Sequence, residues 1–167
     1  SAYGEGLRVV CADTDAQPLR TAAGAGMTTV LLGGSRLSGH GTGGDAILGR
    51  LAAQDDLETL RAQMQHVRTV VVLASLGGGT GGGATPEIVK ALHDMGLATA
   101  CFVTRPFVFE GEVRAKLTDR VLPMIEENAD SLIVIPQDDL FSDAREELLG
   151  DAIQVSESLI SAGVTLL

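Results

Sequence analysis

The sequence has 167 residues, enough for one domain to bury a core without disulfides or a structural metal. Acidic side chains outnumber basic ones 22 to 12, a formal charge of -10 with no Lys/Arg cluster, which argues against a nucleic-acid groove or an anionic membrane surface as partner. Hydrophobic residues make up 45% of the chain but aromatics 3%, with no Trp, so the core must be built from Val, Leu, Ile and Ala, as in buried parallel strands flanked by helices.

From the N-terminus, Leu7 to Ala12 reads as a strand ending in the polar turn Asp13-Thr14-Asp15, which can start a short helix over Ala16 to Ala22. Met27 to Leu32 is a second strand. Gly33 to Gly44 is so rich in Gly and Ser that it predicts a functional loop without regular structure. A helix is expected from about Asp45 to Ala53, then another capped by Asp55 or Asp56 with Leu57, Leu60, Met64 and Val67 on one face. Thr69 to Ala74 is a near-continuous apolar run, the pattern of a central parallel strand buried on both faces.

The next helix has Thr85 as cap, Pro86 at its first position, Ile88, Ala91, Leu92 and Met95 on its buried face, and Gly96 as terminator. Leu97 to Val103 is a further strand, and Val113, Leu117, Val121 and Met124 follow helical spacing, with Pro123 as a kink. Ser131 to Ile135 is the last strand. From about Arg145 to the end, Ala152, Val155, Ser156, Leu159 and Gly163 trace one face of a long helix. The alternation predicts an α/β domain of Rossmann-like, three-layer form, with a mostly parallel sheet flanked by helices. Cys11 and Cys101 sit in separate apolar runs, as buried, reduced thiols do, and no signal peptide or transmembrane-length stretch is seen, so a cytoplasmic protein is expected.

The chemistry concentrates in Gly77-Gly78-Gly79-Thr80-Gly81-Gly82-Gly83, between a strand and a helix N-terminus. Glycine lets backbone approach a ligand closely, so consecutive N–H groups can point at phosphate oxygens while the helix dipole adds a favourable field. A neutral nest of this kind, aided by Mg²⁺, lets an acidic protein bind a nucleotide. No Lys follows the glycines, which excludes a Walker loop. Gly77, Gly79 and Gly82 satisfy the dinucleotide pattern Gly-x-Gly-x-x-Gly, but the next strand ends at Thr104-Arg105 rather than at a ribose-binding acid, leaving an NAD site as a weaker alternative. His40, His66 and His93 are scattered and read as surface residues.

The run from Gly77 to Pro86 resembles the signature loop of the FtsZ/tubulin family, Gly-Gly-Gly-Thr-Gly-Thr-Gly-Ala-Ala-Pro. Asp13-Thr14-Asp15-Ala16-Gln17 is similar to the family's Asn-Thr-Asp-Ala-Gln turn, and the segment from Thr104 to Gly111 to its Thr-Lys-Pro-Phe-x-Phe-Glu-Gly. Asp130 to Asp138 is similar to Asp-Ser-Leu-Ile-x-Ile-Pro-Asn-Asp, and the spacings are nearer to bacterial FtsZ than to tubulin.

The resemblance implies a single GTP-binding domain over residues 1–167 that binds GTP or GDP with Mg²⁺. It implies assembly with itself into head-to-tail filaments, with division or cytoskeletal partners, no nucleic acid and no direct membrane insertion. Gly77 to Gly83 would cradle the phosphates, Gly41, Thr42 and Gly43 would sense the γ-phosphate, Asp13 would lie at the site, and Glu110 with Arg114 would reach the ribose. Read from spacing alone, Glu110 and Arg114 are an ordinary i, i+4 ion pair, and Phe107 and Phe109 are core residues.

Departures from the family pattern accompany these matches. Gln137 stands in place of Asn, Asp45-Ala46 in place of Asn-Pro, Ile153 in place of the aromatic that stacks on guanine, Glu157 in place of Asn, and Ser158 in place of the carboxylate that reads the base. A Ser supplies no charge-assisted pair, so guanine selectivity should weaken. The family's first strand and first glycine-rich loop have no counterpart here, and the chain is expected to be truncated in or after its long C-terminal helix. The acidic loop that positions the attacking water lies beyond that helix in the family, so this chain by itself should hydrolyse GTP poorly. A paralogue that keeps the fold as an interaction module, having lost nucleotide binding, is the main alternative.

Overall fold

The computed structural model describes residues 8–141. The long C-terminal helix expected from Arg145, with Ile153 and Ser158, lies outside those residues, as does Leu7.

Strand β1 (Val10–Asp13) runs into the turn at Thr14, and the Asp15 side chain caps α1 (Ala16–Gly24) by accepting from the Gln17 N–H at 2.8 Å. β2 (Thr28–Leu31) returns parallel to β1, with Val10 opposite Thr28 and Asp13 opposite Leu31. The Gly33 to Gly44 segment is more ordered than its composition predicts, because a helical turn, α2 (Gly34–Leu37), forms between Gly33 and Ser38, both left-handed. Asp56 explains that turn. Its carboxylate accepts the Gly33 N–H at 2.7 Å, and the Asp56 side chain therefore leaves the following helix uncapped.

α3 (Ala46–Asp55) is capped by Asp45, whose carboxylate accepts from Ile47 and Leu48 N–H at 2.8 and 3.2 Å. α4 (Leu57–Gln63) buries Leu60 and stops before Val67, since His66 takes a positive φ of 66°.

β3 (Thr69–Ser75), β4 (Ala98–Arg105) and β5 (Ser131–Pro136) form a second parallel sheet in the order β3-β4-β5. The apolar run of β3 suggested a central strand buried on both faces. Among the described residues β3 is instead at the edge, β4 is central, and Leu73 is 46% exposed.

α5 (Gly79–Asp94) differs most from expectation, starting six residues before Thr85 and enclosing Pro86. Glycine disfavours helix by about 1 kcal/mol relative to Ala, yet tertiary packing overrides that preference here. A Cβ at Gly83 would overlap the Ala46 carbonyl, one at Gly49 the Gly79 carbonyl, and one at Gly79 the Thr42 hydroxyl, so α5 lies against α3 backbone to backbone. Its other end is as expected: Gly96, at φ 71°, ends the helix, and Leu97 N–H reaches back to the Leu92 carbonyl.

A 3₁₀ turn, η1 (Val108–Glu110), leads into α6 (Glu112–Glu126), which continues past Pro123, and α7 (Gln137–Phe141) follows β5. Two cores result. Val30, Leu32, Ala52, Ala53, Leu60 and Ala84 form one between β2, α3, α4 and α5. Leu76, Val89, Cys101, Val103, Val121 and Ile125 form the other between the second sheet, α5 and α6. α5 contributes to both, through Ala84 and Val89. Cys101 is buried and free as expected, whereas Cys11 is half-buried with its Sγ 3.5 Å from Met27 Sδ.

Candidate functional site

The site is built at the C-terminal ends of β1 and β3, where the Asp13-Thr14-Asp15 turn, the Gly39 to Gly44 loop and the glycine run after β3 meet. In the run that follows β3, Leu76 to Gly78 are loop and Gly79 to Gly83 are the first turns of α5. The first helical bond is from the Gly82 N–H to the Gly78 carbonyl at 2.9 Å, which leaves the N–H groups of Gly79, Thr80 and Gly81 outside the helical ladder. No side chain caps this end and no acidic residue occupies its first turn. A 16-residue helix with bare donors at its N-terminus attracts an anion.

The glycines of the run have different reasons to be glycine. Gly77 has φ 93° and lies against Pro106 and the Arg114 stem. Gly79, Gly81 and Gly83 are excluded from carrying a Cβ by backbone or Thr42, whereas one at Gly82 would require the Leu117 side chain, 2.9 Å away, to shift. Gly78 is the exception: its φ of -93° suits any residue, and a Cβ there would meet nothing within 4 Å. Folding does not require glycine at Gly78, which is what a position kept clear for a ligand looks like.

Thr14 fastens the first segment. It is fully buried, and its hydroxyl lies 2.7 Å from that of Thr80. The Asp13 carboxylate accepts the Asp15 N–H at 3.0 Å, holding the same turn. The loop from Gly39 to Gly44 is stitched to it by Ala16 N–H to Gly39 carbonyl and Gly41 N–H to Thr14 carbonyl bonds. Gly39, Gly41, Gly43 and Gly44 all have positive φ, and around Gly43 and Gly44 a Cβ would find open space. Thr42 is buried against Gly79. Asp13, Gly41 to Gly43 and the glycine run are thus brought to one place.

Glu110 and Arg114 join from the other side through the contact of Gly77 with Pro106 and Arg114. Glu110 is in η1, not in the helix that carries Arg114, and its carboxylate accepts both the Arg114 guanidinium at 2.6 Å and the Phe107 N–H at 2.9 Å. Phe107 is buried, but Phe109 is 67% exposed and stacks on it at 4.9 Å, so the expectation that both are core residues holds for Phe107 alone. Gln137 opens α7, beside Asp138, whose carboxylate takes the Val108 N–H at 3.0 Å. Thr14 was missed as a site residue in the sequence reading, although its position between two turn-forming aspartates was a usable signal.

His40, His66 and His93 are exposed, as expected of surface residues. Among the described residues no cluster of His, Cys, Asp and Glu is arranged to hold a metal by itself, and no helix is long and apolar enough to cross a membrane.

Parallel strands, helices on their faces and a bare, glycine-lined helix N-terminus define a Rossmann-like α/β domain whose strand ends form an anion-receptive site. Residues 3–145 match the model of the Tubulin/FtsZ family, GTPase domain, and the chain belongs to that family. It is 40% identical over 139 residues to cell division protein FtsZ of Pseudomonas putida, covering 83% of this chain and 34% of that protein. It is 36% identical over 165 residues to cell division protein FtsZ of Rickettsia felis, covering 98% and 36%.

Among solved structures, an empty FtsZ dimer from M. jannaschii aligns with TM-score 0.85 and 33% identity, over 93% of this chain and 45% of that one. A GTPγS-bound protofilament of CetZ2 from Haloferax volcanii aligns with TM-score 0.84 and 26% identity, over 99% and 50%. The chain therefore spans about a third of the length of its curated relatives and about half of these structures. The NAD alternative gives way to this family membership.

Proposed function

We propose that this chain is the nucleotide-binding part of an FtsZ-like cytoskeletal GTPase. It binds GTP or GDP, with Mg²⁺ carried by the phosphates, and assembles head to tail with copies of itself in the bacterial cytoplasm during cell division. The observation that carries the reading is Gly78, a glycine with ordinary backbone and open space beside the uncapped donors of Gly79, Thr80 and Gly81.

In this reading those donors cradle the phosphates, and the clear side of Gly43 and Gly44 receives the terminal phosphate over Gly41 and Thr42. Thr14 acts through Thr80 by holding its hydroxyl in place. Glu110, already oriented by Arg114 and the Phe107 N–H, keeps lone pairs for ribose hydroxyls. Asp13 and Gln137 flank the nucleotide. Ile153 and Ser158 would meet the base, and an aliphatic side chain with a neutral hydroxyl would hold guanine less selectively than an aromatic with a carboxylate. Mg²⁺ would offset phosphate charge in an acidic chain. The reading of a filament partner is supported by similar proteins solved as a dimer and as a protofilament.

The test is calorimetric titration of the chain with GTP, ATP and NAD, each with Mg²⁺, for the native sequence and for Gly78→Val. Valine fits the extended φ of Gly78 and its open surroundings, so the variant should fold normally. GTP should bind the native chain and bind the variant at least about tenfold more weakly. Absence of GTP binding, or equal affinity in the folded variant, overturns the assignment and favours the interaction-module alternative.

A further inference from the structure

β4 and β5 leave their sheet side by side, and the segments that follow them meet again at η1. Arg105 stands opposite Pro136 at the end of the β4–β5 register. Main-chain pairing cannot run on from there, because Pro106 has no N–H to offer and neither has Pro136. The next two donors on the β4 side are the N–H groups of Phe107 and Val108, and each goes to a carboxylate. The Glu110 side chain takes the first at 2.9 Å. The Asp138 side chain, from the first turn of α7, takes the second with its two oxygens at 3.0 and 3.3 Å. A side chain thus ties the two segments together where the ladder stops.

Apolar burial does little to hold η1 itself. Val108 is 82% exposed and Phe109 lies largely in solvent, so from Phe107 to Glu110 the buried side chain is that of Phe107. Gly111 follows at φ 97°, a turn between η1 and α6 with open space beside it. The Glu110 carboxylate is mostly covered, with Oε1 on the Phe107 N–H and Oε2 on Arg114, and each oxygen keeps a lone pair. Arg114 is half-exposed on a long stem, so its guanidinium can follow Glu110 through many rotamers without fixing where it lies. The bond from Asp138 is different in kind. It grips the backbone of η1 two residues before Glu110 and joins it to the end of a strand that is paired over six residues with β4.

We infer that Asp138 is a positioning residue for Glu110: by holding the Val108 N–H to the end of β5 it fixes the place of the Glu110 carboxylate, and with it the preference of the site for a nucleoside that carries ribose hydroxyls. This role rests on the reading of Glu110 as the ribose acceptor. Asp138 acts through the η1 backbone, and its loss releases Glu110 while leaving the phosphate donors at Gly79, Thr80 and Gly81 in place, since those belong to α5.

The test titrates the native chain, Asp138→Ala and Asp138→Asn with GTP and with 2′,3′-dideoxy-GTP, each with Mg²⁺. Asn keeps a carbonyl oxygen for the Val108 N–H and Ala keeps none. The native chain should prefer GTP by at least about tenfold, and Asp138→Ala should reduce that preference below about twofold by weakening GTP alone. Asp138→Asn should retain most of it. Without nucleotide, amide exchange at Val108, read by NMR, should quicken at least about tenfold in Asp138→Ala and far less in Asp138→Asn. Equal weakening of both nucleotides by Asp138→Ala overturns the role of Asp138 in favour of general support of the fold. An intact preference for GTP in that variant also overturns it, because Glu110 then keeps its place without the tie. A native chain that binds both nucleotides equally overturns the ribose role of Glu110, and that of Asp138 with it, while the proposed function stands; a native chain that binds neither overturns the proposed function as well.

Discussion

Gly78 and Gly83 are five residues apart and chemically identical, yet they are glycine for opposite reasons. A Cβ at Gly83 would strike the Ala46 carbonyl and lie 2.7 Å from the Arg50 nitrogen, so Gly83→Ala must push α5 off α3 and should cost about 1–3 kcal/mol in urea denaturation. Gly78→Ala should cost about 0.5 kcal/mol or less in the same measurement. The glycine-dense run was legible as a site in the sequence, but which glycines serve packing and which leave room was not, since that depends on α3, some thirty residues away. Cys101 gives a pH test at the same scale. Burial pushes its thiol up to about 11 from an ordinary 9.0. Between about pH 9 and 11 the unfolded chain therefore releases a proton that the folded chain retains, so stability is complete below this window and falls as pH rises through it. Denaturation of the native chain across that range should show a loss on the order of 2 kcal/mol that Cys101→Ala lacks.

Capping residues separate the helices whose starts were readable from those whose starts were not. Asp15 and Asp45 bond within their own first turns, and a local bond of that kind follows from local sequence. Asp56 occupies the corresponding position before α4, but its carboxylate crosses to Gly33. Asp45→Ala should therefore lower global stability by about 1 kcal/mol, with exchange rising at Ile47 and Leu48. Asp56→Ala should instead speed exchange at Gly33 and through α2, leaving the amides of α4 nearly unchanged. Equal fraying of α4 would show that Asp56 is an ordinary cap. The start of α5 was misplaced by seven residues for a related reason: the Thr85-Pro86 signal is real as local chemistry, but contact with α3 supplies what the glycines lack in helix propensity.

Across the whole molecule, α5 joins two cores that belong to separate sheets. Val89 is fully buried in the second core while Ala84, on the same helix, lies in the first. Val89→Ala should cost about 2 kcal/mol, and native-state exchange should quicken by the same factor at Val30 in β2 and Val103 in β4. A change confined to Val103 would mean that the two sheets unfold separately.

The sequence by itself determined the order of the five strands and of α1 and α3 to α6, the parallel α/β class, the family and the segments that meet at the candidate site, because these rest on local periodicity, turn chemistry and motifs that survive without knowledge of neighbours. The tertiary structure decided that β3 lies at an edge among the described residues, that Phe109 is exposed, that Thr14 braces Thr80, and that α5 starts at Gly79. Each of those depends on which distant surface a residue meets, and an apolar run such as Thr69 to Ala74 reads the same whether its neighbour is present or not.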